Sequence, residues 1–306
     1  MKVLGVCLFA VLAQLSYAQF TYTAVNIPGA TETEVRGVNS SGEIVGYYKT
    51  TSATTCTEVN IQDPNCPVRG FKIVNGVLTK LMVPNSTWTA IMGVNDYGDL
   101  VGFTITSDGS HGFLWKHTNV ITFFNAPGAG PSSDIHTVAM SVNKALIVGG
   151  SSWFFSNSTP NGGWVWANGA FSLMNPGDTS GSCCPDGEGV NGISNNGYLS
   201  GQNSNGAWFK SGTDEDFYNV NSGTVGTAVN SNADVIGFSG GVGYFAKHME
   251  LNENNDAVEV KPGFIKVMFP GSSSTYPFGL NDLRTVVGAY TDSAGLIHGF
   301  VAKPTF

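Results

Sequence analysis

The sequence predicts an all-β fold, a six-bladed propeller of four-stranded antiparallel blades closed by its N-terminal strand. Three observations predict it. First, one phrase recurs six times: an aliphatic residue and Asn, a Gly three positions on, then Val-Gly before an aromatic residue. It is clearest at Gly37-Val38-Asn39 with Gly42 and Val45-Gly46-Tyr47, and at Gly93-Val94-Asn95 with Gly98 and Val101-Gly102-Phe103. Blurred copies stand at Val142-Asn143, Ile193-Ser194, Val229-Asn230 and Leu280-Asn281, giving a mean period of about 48 residues, the size of a four-stranded blade. Second, charge is low at 12% while 40 glycines and 11% aromatics suit many tight turns between covered sheets. Third, no helical periodicity runs through the chain.

The elements follow in order. Residues 1–18 read as an export signal, with Lys2, an apolar run from Val3 to Leu15, and small residues at Ser16 and Ala18. The mature chain, 19–306, is read as a single secreted propeller domain. In the first unit four strands alternate over Glu34 to Asn39, Glu43 to Lys49, Arg69 to Val74 and Val77 to Val83. Asn-x-x-Gly makes the first hairpin, because Asn bonds its own backbone two residues on and Gly supplies positive φ. Asn75-Gly76 and Asn168-Gly169 make tighter turns between third and fourth strands. Segments rich in Pro and Gly then carry the chain to the next unit. The last unit stops one strand short, and Phe20 to Val25 followed by Pro28-Gly29 matches the missing fourth strand. The N-terminal strand is therefore expected to complete the C-terminal blade and close the ring, which removes exposed edges.

A third-strand element accompanies the phrase: Arg69-Gly70-Phe71, His111-Gly112-Phe113-Leu114-Trp115, Gly163-Trp164-Val165-Trp166, Gly206-Ala207-Trp208-Phe209, Gly243-Tyr244-Phe245 and His298-Gly299-Phe300. Together these motifs resemble the bacterial extracellular repeats of the HAF family, over essentially all of the mature chain. The resemblance implies a secreted bacterial propeller-like protein. It carries no activity to transfer.

Four cysteines remain after the leader: Cys56, Cys66, Cys183 and Cys184. Cys56 with Cys66 closes the shortest loop. Cys183 and Cys184 are left as a vicinal disulfide, free thiols or a link to another chain. The formal charge of −8 and the lack of a basic cluster exclude nucleic acid and anionic membranes as partners, and no later run of about 18 apolar residues spans a bilayer. A monomer is expected.

Function should sit where the units differ. In a propeller, the loops joining second to third strands share a face with the connections between blades, and the long non-repeated segments fall there. On that rim Trp88, Trp153 and Tyr276 could stack on a sugar ring, against the plainer reading that each packs under its own loop. Asp134 and His136 could serve acid-base chemistry or Ca²⁺. Asp178, Asp186 and Glu188 could coordinate Ca²⁺ through hard oxygens, though their spacing fits no known calcium loop. The repeated Asn and Gly, and the third-strand Trp115, Trp166 and Trp208, are read as turn and core. No Gly-x-Ser-x-Gly elbow, His-Glu-x-x-His, phosphate loop or dinucleotide fingerprint occurs. The expectation is a binding or structural protein presenting this face to an extracellular polysaccharide or surface protein. A glycan-acting lyase or hydrolase at the channel mouth is the alternative.

Overall fold

The computed structural model describes residues 19–50, 68–129, 135–154, 159–174, 189–203, 206–211, 218–221, 224–251, 257–259 and 264–306. Residues 1–18 lie outside them, as do Asp134, Asp178, Asp186, Glu188 and all four cysteines of the mature chain. The described residues form strands and turns only, and none of them belongs to a helix long and apolar enough to cross a membrane.

The chain builds one four-stranded antiparallel array after another. The first is β2 (Glu32–Val38), β3 (Ile44–Lys49), β4 (Val68–Val74) and β5 (Val77–Leu81). Next come β6 (Ser86–Val94), β7 (Leu100–Thr106), β8 (Gly109–Trp115) and β9 (Ile121–Phe124), then β10 (Ile135–Val142), β11 (Val148–Phe154), β12 (Thr159–Ala167) and β13 (Ala170–Met174). They are followed by β14 (Gly189–Ile193), β15 (Leu199–Asn203), β16 (Gly206–Lys210) and β17 (Tyr218–Asn221). The next array, β18 (Val225–Val229), β19 (Val235–Ser239), β20 (Val242–Ala246) and β23 (Ile265–Val267), carries an extra hairpin that the repeat did not predict, β21 (Met249–Leu251) with β22 (Ala257–Glu259). Last are β24 (Ser274–Leu280), β25 (Val286–Thr291) and β26 (Ile297–Pro304). The N-terminal β1 (Phe20–Val25) lies antiparallel against β26, from Phe20 opposite Pro304 to Val25 opposite Gly299. A single parallel bridge, Glu32 opposite Ile297, joins this array to the first.

The repeated Gly of Val-Gly has a steric cause. Gly46, Gly102, Gly150, Gly201, Gly237 and Gly288 pair with Phe71, Phe113, Trp164, Trp208, Tyr244 and Phe300 on the third strand. A Cβ on any of them would lie between 1.8 and 2.4 Å from a first-strand carbonyl oxygen and 3.0 Å or less from the partner's ring. The ring thus lies over a bare backbone and is buried, fully so at Phe71, Phe113, Trp164 and Phe300. Trp164 is thus the counterpart of Trp208. Trp115 and Trp166 stand two residues further on and are half-buried. The small residue before the aromatic is also accounted for. A Cβ at Gly70, Gly112, Gly243 or Gly299 would meet Ile91, Thr137, Pro277 or Val35 of the following first strand within 2.8 Å, so this position sets how closely consecutive arrays pack.

Candidate functional site

First strands from every array gather around one axis. In each of β2, β6, β10, β14, β18 and β24 the register slips at the same point, leaving Arg36, Met92, Met140, Asn191, Thr227 and Phe278 without an opposite residue. Such bulges twist a strand and re-aim the extra side chain. Two residues beyond each bulge stand Val38, Val94, Val142, Ile193, Val229 and Leu280, all buried. These six side chains line both axial cavities, one of about 50 Å³ and one of about 70 Å³, and form an apolar septum between them.

The smaller cavity lies at the Asn hairpins, where a polar ring explains the repeated Asn. Each Asn side-chain oxygen accepts the N–H groups two and four residues on, as at Asn95 from Tyr97 (3.0 Å) and Asp99 (2.9 Å). Each side-chain amide donates to the next turn's carbonyl: Asn39 to Asn95 (3.1 Å), Asn95 to Asn143 (3.1 Å), Asn143 to Ser194 (3.1 Å), Asn230 to Asn281 (3.1 Å) and Asn281 back to Asn39 (2.9 Å). Where Ser194 replaces Asn, Asn196 donates to Ser231 O at 2.8 Å. Around the mouth Lys144 pairs with Asp96 at 3.1 Å, and Asn195 donates to Asp96 at 3.3 Å from two arrays away. Partial burial would raise the Asp96 carboxyl, but the Ser40 groups and Lys144 outweigh it and hold it below the usual carboxylate range. Around this mouth the polar groups are bonded to one another.

The opposite mouth differs from unit to unit. On β2, Glu32 and Glu34 share one face of the strand, with Arg36 as the bulge residue beyond them. Lys49 Nζ lies 2.9 Å from Glu32 Oε1, and Arg36 Nη1 donates to Glu34 at 3.0 Å. All four side chains are only 13–17% exposed. Burial first, and then the adjacent Glu34 charge, push the Glu32 carboxyl above its usual range against the pull of Lys49. At the positions of Glu34 the other first strands carry Ala90, Val138, Gly189, Val225 and Tyr276; at that of Glu32 they carry Trp88, His136 and Ser274. Glu32, Glu34, Arg36 and Lys49 were not singled out from sequence, and Glu-x-Glu-x-Arg becomes a signal only once the other first strands are aligned on the bulge.

The predicted residues distribute as follows. Trp88 is buried 4.2 Å from Phe103 and packs under its loop, so it offers no stacking face. Tyr276 is half-buried, edge-on to Phe238 at 5.0 Å. His136 is buried and its Nδ1 meets Ser110 Oγ, which joins the start of β10 to the β7–β8 hairpin of the preceding array. His298 joins the corresponding hairpin to Asn26 (2.8 Å) and Asp292 (3.0 Å). Inter-array connections and second hairpins therefore do share a rim. Trp153 lies in β11 opposite His136. Asp134, Asp186, Glu188 and the cysteines are not among the described residues, and no group of three or more His, Cys, Asp or Glu among those described is placed to hold a metal.

No family model matches the chain, and no curated protein matches it. Among solved structures it is similar to a protein assigned as a gluconolactonase, at TM-score 0.53 and 10% identity over 94% of this chain and 93% of that one. It is likewise similar to regucalcin, a calcium-binding protein of Agrobacterium tumefaciens, at TM-score 0.50 and 11% identity over 94% and 96%. Virginiamycin B lyase from Staphylococcus aureus overlaps 92% of the chain and 99% of its own at TM-score 0.47 and 12% identity. At such identities the likeness to the first two speaks for the fold alone, and with the four-stranded antiparallel sheets it identifies the chain as a β-propeller.

Proposed function

We propose that this is a secreted, closed six-bladed propeller of the HAF-repeat kind, a monomer that binds an extracellular polysaccharide at its loop-rich face. The count and closure are supported by the sequence of four-stranded arrays, by β1 against β26, and by Asn281 donating to Asn39 across 242 residues. One observation carries the binding reading: of the two axial mouths, the hairpin mouth is laced by repeated self-contacts, whereas the loop-rich mouth holds side chains that vary among the units, Arg36, Met92, Asn191 and Phe278 among them. Binding groups on a rigid scaffold belong where the repeat is broken.

The buried Glu32 and Glu34 pair favours a second reading, a glycan-acting enzyme. Glycoside chemistry needs two neighbouring carboxyls with different proton affinities, and burial pushes the Glu32 carboxyl up beside Glu34. Against it, Lys49 and Arg36 already engage both carboxyls. The test is to incubate the protein with soluble and insoluble polysaccharides, following protein retention and release of small sugars together. Retention without products, weakened by Tyr276→Ala, is expected. Products abolished by Glu34→Gln would establish the enzyme instead, and neither retention nor products with any polymer would refute both.

A further inference from the structure

The axial cavity above the aliphatic septum contains a guanidinium that the fold positions but does not use up. Arg36 lies with its Cζ 3.8 Å over the Phe278 ring, and its Nη1 is tied to Glu34. Among the described residues it makes that one hydrogen bond, which leaves the Nε–Nη2 edge of the fork to the cavity that Arg36 lines. Asn191, also in its wall, spends its amide N–H on Gly226 O at 2.8 Å and keeps its side-chain oxygen free to accept. No carboxylate lines the cavity, and Met92, Met140 and Phe278 supply its apolar wall.

We infer that this cavity binds the carboxylate of an acidic sugar, a uronate unit of the polysaccharide, with Arg36 as its receptor. The inference rests on the reading of this mouth as the binding mouth. Chemistry selects the ligand class. A guanidinium edge held by a stack and an ion pair is preorganised for bidentate recognition of a planar carboxylate, whereas a neutral sugar would leave those donors unmatched. An acceptor at Asn191 suits a body rich in hydroxyl groups. At about 70 Å³ the cavity takes a carboxylate and the edge of one ring, not an oligosaccharide, so the remainder of a chain would lie across the rim.

The test is calorimetric titration of the protein with glucuronate, methyl glucoside, acetate and trialanine, using wild type, Arg36→Met, Arg36→Lys and Asn191→Leu. Glucuronate should bind the wild type at least tenfold more tightly than methyl glucoside or acetate. Arg36→Met, compared at a temperature where it remains folded, should lose roughly tenfold to a hundredfold, and Arg36→Lys should recover only part, because it restores charge but not the fork. If Arg36→Met fails to fold, Asn191→Leu, which removes the acceptor from the cavity wall, must weaken binding at least tenfold. Equal affinity for glucuronate and methyl glucoside, or unaltered affinity in these variants, would overturn the inference. Tighter binding of trialanine would overturn the sugar assignment. Retention on neutral polymers without glucuronate binding would sink this inference alone, and glucuronate binding without retention on any polymer would sink the broader reading alone.

Discussion

At the residue scale, the repeat is a steric rule before it is a chemical one. Gly102 is glycine because a Cβ would lie 1.9 Å from Ala90 O and 3.0 Å from the Phe113 ring, and neither backbone nor buried ring can yield. Gly102→Ala should therefore cost about 3 kcal/mol, measured by urea unfolding. Ala233 is the useful contrast. It occupies the turn position that Gly42 and Gly98 fill elsewhere, at a φ of +58°, so the backbone conformation is one an L residue adopts under strain. Ala233→Gly relieves that strain but loses a buried methyl, and should stay within about 0.5 kcal/mol of wild type. Both glycine types are legible in the sequence as recurring letters. Only the pairing partners reveal that one is required by a turn and the other by a ring.

Charge at this scale gives a pH prediction. Burial opposes ionisation of Asp99, but the His117 N–H at 2.9 Å, the Asn95 amide at 2.9 Å and the His117 ring at 2.8 Å hold its carboxyl below the usual range. A carboxylate depressed in the folded state contributes stability above its unfolded value, near 3.9, and loses it as pH falls through the folded value. Asp99→Asn should thus be less stable at neutral pH, with a shallower loss below about pH 4. Urea midpoints between pH 2 and 7 measure both.

At the element scale, strand boundaries in the first unit were readable to within two residues, because alternation and Asn-Gly turns mark them. The β21–β22 hairpin was not, since it has no counterpart in the other copies. Nor was the bulge of the first strands, which leaves no letter of its own and shows only as a slip in pairing. The N-terminal strand was legible from composition, and Phe20 shows what it contributes: it is 3% exposed, edge-on to Phe245 at 5.9 Å and Phe306 at 5.6 Å. Phe20→Ala should destabilise by about 3–5 kcal/mol. A thermal shift of less than a degree would mean that β1 adds little to the sheet it joins.

At the scale of the whole molecule, the repeat made the architecture readable and concealed the site for one and the same reason. Recurrence reports what every unit must do, which is to turn, stack and pack, while Glu32, Glu34, Arg36 and Lys49 stand out only once the six first strands are superposed about their axis. Trp88 misled because an aromatic residue on a loop looks like a sugar platform until Phe103 is seen against it. The two mouths then divide the labour, one laced by Asn195, Asp96 and Lys144, the other varied and open to a ligand. Mobility in native gels containing polygalacturonate tests this division most directly, using wild type, Tyr276→Ala on the loop-rich rim and Tyr97→Ala on the hairpin face, where Tyr97 is 59% exposed. Retarded wild type and Tyr97→Ala with a freely running Tyr276→Ala is the predicted result; a freely running Tyr97→Ala with Tyr276→Ala still retarded would contradict it.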